Sequence, residues 1–286
     1  MAGLLPFEAP TALQYFAALV ADDASFAMTE AAIAVAQVED PALDAQAVLA
    51  QIDALAERLR RRLPADAAPL QRLRLTNRYF FQELGFAGNV NDYYDRRNSY
   101  LPDVLRSRRG IPITLALLYL EVASQVGLDA AGVSFPGHFL VKLRLPRGEV
   151  ILDPFNGQTL SREELEERLQ PYRRQRGLVG DFEMPLGLFL QAAAPRDVIA
   201  RLLRNLKEIH RGGDEERLVA VLDRLVILLP QAWEERRDRG LALETMGRTA
   251  AAADDLAAYL EHCPDAADAA AVRRRLAALR RRPRAH

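Results

Sequence analysis

Apolar positions recur at helical spacing through the first hundred residues. Val48, Leu49, Ile52, Leu55 and Leu59 fall on one stripe, the pattern of a helix with a single buried face. Asp44 stands just ahead of it and is a plausible start. A further helix through Leu73, Phe80, Phe81 and Leu84 meets Gly85, a residue able to take the left-handed conformation that closes a helix. From Gly85 to Asn98 the chain is rich in Gly, Asn, Asp and Tyr, which predicts an ordered loop.

After Gly110 the pattern changes to helix followed by strands. Pro112 suits a first helical turn, where its fixed φ is already correct and its missing N–H is not needed. Leu115 to Val126 is largely apolar and Gly127 ends the run, so this helix must be buried on most sides. Ala131 to Phe135, His138 to Leu145 and Glu149 to Leu152 are short runs rich in Val, Leu and Phe. With Pro146-Arg-Gly-Glu149 as a turn, the last two predict an antiparallel hairpin. Ser161-Arg-Glu-Glu164 has the form of a capping box opening another helix. From Pro171 to Pro195 the residues Gly177, Gly180, Pro185 and Gly187 interrupt regular structure. The domain boundary is placed there, giving 1–195 and 196–286.

The second part carries an internal repeat. Gly213 and Gly247 are 34 residues apart, as are Leu222 and Leu256, Val226 and Leu260, and Pro230 and Pro264. That period belongs to helix–turn–helix repeats of the tetratricopeptide type. Gly240, Ala252 and Pro264 stand where two helices need close approach and the chain then turns. The earlier unit departs from this, with Leu206 in the place of Gly240.

Composition narrows the function. The chain of 286 residues is half apolar and 27% charged, with a net charge of −1, which offers no global attraction to polyanions. The arginine-rich end Arg280-Arg-Arg-Pro-Arg284 lacks interleaved aromatics and is read as a charged helix end; no nucleic-acid partner is expected. One cysteine, Cys263, excludes an internal disulfide. The start lacks the basic-then-apolar order of a signal peptide, and no stretch approaches the roughly 20 apolar residues of a membrane span. A cytoplasmic protein without membrane attachment is expected. His138, His210, His262 and His286 are scattered, so neither a metal nor a cofactor is expected.

Two residues carry candidate chemistry: His138 in Phe135-Pro-Gly-His138 and, fifteen positions on, Asp153 in Asp153-Pro-Phe-Asn-Gly157. A thiol site needs a Cys at a helix N-terminus, a His to exchange its proton and an Asp or Asn to fix the imidazole. The helix after Gly110, the strand carrying His138 and the strand ending at Asp153 resemble, in that order, the transglutaminase-like (papain-like) core. Together with Asn98-Ser-Tyr-Leu-Pro-Asp-Val-Leu105 and Arg109-Gly-Ile-Pro-Ile-Thr-Leu115, these motifs resemble the bacterial SirB/YchA-like family, which joins that core to a tetratricopeptide tail. The resemblance implies an α+β fold: a helix-rich N-terminal region, the core with a small antiparallel sheet, and a helical repeat region.

It also implies a cysteine slot at about Pro112, reaching at most to Thr114. Neither residue forms a thiolate, and a threonine hydroxyl needs strong activation. The leading expectation is therefore a catalytically silent adaptor, possessing a peptide or protein groove marked by Asn98, Tyr100, Arg109, Pro112, Phe155 and Asn156, with the repeats as a second surface. The alternative is a hydrolase or acyl-transfer enzyme that uses His138 and Asp153 with Thr114 or water. Blander roles stay open. His138 can be a satisfied histidine supporting its strand, Asp153 a turn initiator, Thr114 a cap or core residue, and Arg96, Arg97, Arg106, Arg108 and Arg109 a solvated surface or an anion-preferring rim.

Overall fold

A computed structural model describes residues 10–178, 180 and 184–281. The chain start, His286 and the arginine-rich end beyond Arg281 lie outside the described residues. In chain order the elements are helices α1 (Ala12–Leu19), α2 (Met28–Val35), α3 (Ala45–Arg60) and α4 (Pro69–Asn77), strand β1 (Ala87–Gly88), helix α5 (Leu101–Ser107), strand β2 (Arg109–Gly110) and helix α6 (Pro112–Gln125). Strands β3 (Asp129–Val133), β4 (Leu140–Leu145), β5 (Gly148–Asp153) and β6 (Gln158–Leu160) follow. Helices α7 (Arg162–Arg176), α8 (Leu186–Phe189), α9 (Pro195–His210), α10 (Glu215–Leu228), α11 (Trp233–Thr245), α12 (Thr249–His262) and α13 (Ala269–Arg281) complete the chain.

The chain forms two compact units. One holds residues 28–33 and 44–202; the other holds the described parts of 1–27 and 203–286 together with 34–43. The boundary expected at 195/196 falls at the first residue of α9, and the units part further along that helix, between Leu202 and Leu203.

In the first unit local chemistry sets most element ends. Asp44 caps α3 by accepting from the amides of Gln46 and Ala47 at 2.9 and 3.1 Å, and the stripe Val48, Ile52, Leu55 and Leu59 is buried. Helix α4 widens into a π turn over Arg78–Glu83 before Gly85, at φ +72°, stops it. Phe80 there stacks on Phe86 at 4.4 Å and meets Tyr119 of α6 edge-on at 5.4 Å. Pro112 opens α6, whose residues from Pro112 to Leu120 are all buried. Such a helix is held by its neighbours on every side.

The sheet is antiparallel in the order β3-β4-β5-β6, with Leu145 opposite Gly148 across the Pro146-Arg147 turn. One strand starts later than the sequence pattern suggests. His138 lies in the β3–β4 loop, because Gly137 at φ +70° and a bond from the His138 amide to the Phe135 carbonyl, at 3.1 Å, close a turn before β4 begins. A second correction concerns Gly187, which lies inside α8 and does not interrupt a regular element, and the stretch opened by Pro171, whose first residues are still helical. Helix α7 opens on the Ser161–Glu164 capping box, buries Leu165, Leu169 and Arg173, and runs through Pro171 to the left-handed Gly177. Packing of that stripe outweighs the backbone bond that proline forfeits.

The second unit is built on the 34-residue period. Helices α10 and α12 begin that distance apart, and Leu222 and Leu256 occupy matching, fully buried places. Gly240 permits the close α11–α12 crossing: a Cβ added there would lie 2.9 Å from Leu256 Cδ2. Leu206, in the matching place of α9, is fully buried. Helix α1 packs on α10, with Phe16 fully buried and the Arg224 guanidinium 5.8 Å from its ring. A short repeat array needs its end covered, and this N-terminal segment supplies cover.

Candidate functional site

Strand β5 ends on Asp153, whose side chain is only 4% exposed. Its Oδ1 accepts the Phe155 amide at 3.0 Å and lies 2.8 Å from His138 Nε2. Its Oδ2 accepts from Arg168 Nη1 of α7 at 2.9 Å. Burial pushes this carboxyl upward, yet the bonds from His138, Arg168 and the Phe155 amide outweigh it and hold the group below the ordinary carboxylate range. An ionised carboxylate only accepts, so Nε2 carries the imidazole proton and a neutral ring leaves Nδ1 as an acceptor. Nδ1 makes no hydrogen bond to a described residue, and the His138 side chain is 24% exposed. The pair is thus sealed at its carboxylate end and open at its imidazole end.

Phe155 flanks the open end. Its ring centre is 6.4 Å from that of His138 and 6.1 Å from that of Tyr93, and its carbonyl accepts the Gly88 amide at 2.7 Å. The ring lies against Gly88 so closely that a Cβ at that position would fall 2.1 Å from Cε2. The loop carrying Tyr93 is shaped by buried Asn98, whose amide donates to the carbonyls of Asp92 and Tyr93 at 2.7 and 3.2 Å and accepts from Asn89 at 3.0 Å. Tyr94 and Val90 of the same loop are 82% and 74% exposed.

Thr114 is fully buried. Its hydroxyl is 2.7 Å from the Asn98 carbonyl and 3.0 Å from that of Ile111, and it accepts the Ile111 amide at 3.2 Å. Pro112 and Tyr100 are buried beside the same junction. Arg109 reaches back to the Gly85 carbonyl at 2.6 Å, and exposed Asn156 turns the chain by accepting the Gln158 amide at 3.0 Å. Arg97 and Arg106 are paired with Asp95 and Asp103, and the Arg108 guanidinium lies over the Phe86 ring. Cys263 ends α12, in the repeat unit. Sequence reasoning passed over Arg168 and Arg201. The first is an ordinary helix arginine beside the buried Leu165–Leu169 stripe; the second, on α9, donates from Nη1 to Ser134 Oγ at 2.7 Å and to the Phe135 carbonyl at 3.1 Å.

A hollow of about 460 Å³ between β5, β6, α7 and α8 contains neither member of the pair. Among the described residues no group of three or more His, Cys, Asp or Glu is placed to hold a metal ion, and no helix is long and apolar enough to cross a membrane.

Residues 46–204 match the transglutaminase-like superfamily and residues 206–277 match the tetratricopeptide repeat. Fold and site therefore define a transglutaminase-like core joined to repeats of a class that presents concave surfaces to other proteins. The chain is 38% identical over 245 residues to a UPF0162 protein of Xylella fastidiosa (strain Temecula1), spanning 85% of this chain and 86% of that one. It is 33% identical over 193 residues to a UPF0162 protein of Vibrio cholerae, covering 66% and 68% of the two chains. Over 191 residues it is 28% identical to the UPF0162 protein YchA of Escherichia coli K12, covering 65% and 68%. The chain belongs to this UPF0162 family of SirB/YchA-like proteins.

Proposed function

We propose that the first unit is a catalytically silent transglutaminase-like domain that recognises a peptide or protein at the open side of His138, and that the repeats provide a second docking surface. The observation that carries this reading is a base and orienter kept in bonded register while the start of α6, where a thiolate would be required, holds Pro112 and a buried Thr114. With its hydroxyl committed to the Asn98 and Ile111 backbone, Thr114 is a structural staple in this account. The protein is an adaptor, regulatory in character, working in a reducing cytoplasm without metal or cofactor. Capture from a bacterial lysate, with identification by mass spectrometry, compares the parent with His138→Ala, Tyr94→Ala and, on the repeats, a charge reversal at Arg211, which follows α9 and is exposed beside Asp238 of α11, as Arg211→Glu. A partner retained by the parent and lost in at least one folded variant is the expected result; identical recovery by all four proteins would sink the reading.

A second reading is favoured by the unengaged Nδ1, since an imidazole oriented by a carboxylate is a competent general base for water. It predicts hydrolysis of an amide or ester that disappears in His138→Ala and persists in Thr114→Ser. Absence of turnover by the parent across a broad panel of both bond types removes it.

A further inference from the structure

We propose that the open side of His138 is a carboxylate-binding site for the C-terminus of a polypeptide, with Arg201 as the anion-binding residue. The inference rests on the recognition reading above and gives it a ligand class.

Arg201 has an unusual set of contacts. Among the described residues, the half-buried guanidinium donates only from Nη1, and only to neutral oxygens, the Ser134 hydroxyl and the Phe135 carbonyl. It also lies 5.6 Å from the centre of the Phe139 ring. No carboxylate among the described residues pairs with it. Its Nε and Nη2 donors, one side of the planar fork that matches a carboxylate, take no described acceptor. Burial lowers the arginine's proton affinity, and the Tyr93 hydroxyl within electrostatic reach opposes that.

This cation belongs to the His138 site. The Phe135 carbonyl that accepts from Arg201 also accepts the His138 amide, each at 3.1 Å, so the guanidinium and the histidine turn share one oxygen. Around them stand Tyr93 and Phe155. The groups complement the end of a peptide in kind and number. A terminal carboxylate receives the free donors of Arg201 and the Tyr93 hydroxyl, while Nδ1 of His138, on the side of the ring away from Asp153, is placed to accept the last backbone N–H. A simple carboxylic acid lacks that N–H. Val90 and Tyr94, strongly exposed on the adjoining loop, extend apolar surface beyond the reach of a small acid and suit the residues that precede the terminus.

The test uses the full-length protein and fluorescein-labelled pentapeptide pools ending in Phe, Leu or Val, each made as the free acid and as the C-terminal amide, read by fluorescence anisotropy. Free-acid pools are expected to bind at least about tenfold more tightly than amides, and Arg201→Gln to bring the acids down to the amide level. Ser134→Ala removes one structural bond of Arg201 but keeps the guanidinium, so it retains the preference. Tyr94→Ala weakens acids and amides by the same factor. Equal binding of acid and amide by the parent overturns the proposal, as does a preference that survives in folded Arg201→Gln. If Arg201→Gln does not fold, the acid-to-amide ratio of the parent and of Ser134→Ala decides. Competition by 3-phenylpropionate, which has the ring and carboxylate but no backbone N–H, at the same concentration as the peptides overturns the polypeptide assignment in favour of a small acid. Equal, His138-dependent binding of acids and amides defeats this inference alone, whereas no binding of either form counts against the recognition reading as well.

Discussion

Two charged clusters, one in each unit, are satisfied to different degrees. In the repeats, Lys207 on α9 meets Glu235 and Asp238 of α11, each at 2.6 Å. Arg239 bridges Asp223 of α10 and Asp255 of α12 at 2.9 and 2.6 Å, and Arg237 joins Asp238 to Asp268 at 2.7 and 2.8 Å. Burial pushes the Asp238 carboxyl up, yet Lys207 and Arg237 hold it below its ordinary range. In the core unit, Asp153 collects two bases, His138 keeps an idle nitrogen and Arg201 finds only neutral acceptors. Buried ions cost solvation that only a matched opposite charge offsets. A saturated network therefore reads as scaffold, and leftover hydrogen-bonding capacity beside a surface reads as recognition.

The largest expected effect lies on the saturated side. Glu235→Ala strands buried Lys207 with one acid fewer and removes the acceptor of Arg204; it should cost about 3–5 kcal/mol, measured by urea unfolding. A loss under about 1 kcal/mol would break the contrast, because a dispensable charge is no scaffold.

Asp153→Asn comes next, at roughly 2–3 kcal/mol near neutral pH. Because the folded carboxyl is held below its unfolded value, its contribution is complete above the ordinary range near pH 3.9 and disappears as pH falls through the folded value. The gap between parent and variant should narrow in acid. A gap that stays constant from neutral to strongly acidic pH would remove the ion-paired description of this site.

That pair was legible because its two members sit fifteen positions apart in short, recognisable motifs. Arg168 and Arg201 were not. Each stands on a helix among many arginines, and what distinguishes it is a contact with a residue distant in sequence. The caps at Asp44 and Ser161 could be read directly, since capping is a matter of three or four consecutive residues. The break at Pro136-Gly137 lay between the two expected strands, but the apolar Phe139-Leu-Val141 that follow gave no sign that the turn also takes in His138 through its amide bond to the Phe135 carbonyl. Thr114 was left between cap and nucleophile, and its bond to the Asn98 carbonyl spans sixteen positions. Recruitment of α1 to the repeats lies outside any 34-residue period, so the repeat pattern gave no sign of it.

Thr114→Val sharpens the comparison from within the core unit. Removing the hydroxyl deprives the Ile111 amide and the Asn98 carbonyl of a buried bond, an expected loss of about 1–2 kcal/mol. Thr114→Ser should recover most of it, as seen in paired thermal melts. The smallest effect belongs to Arg106→Ala. Its exposed pairing with Asp103 should be worth less than about 0.5 kcal/mol, and a larger change in unfolding free energy would show that proximity to the site had been misjudged.

Gly88 has a reach of its own. Because the Phe155 ring fills the volume where a side chain would begin, any larger residue at 88 must swing that ring aside. The spacing between the aromatic wall and His138 is thus set from behind, by a position that need never touch a ligand. If the recognition proposal holds, Gly88→Ala is expected to alter which shapes are admitted while the polar groups stay chemically unchanged.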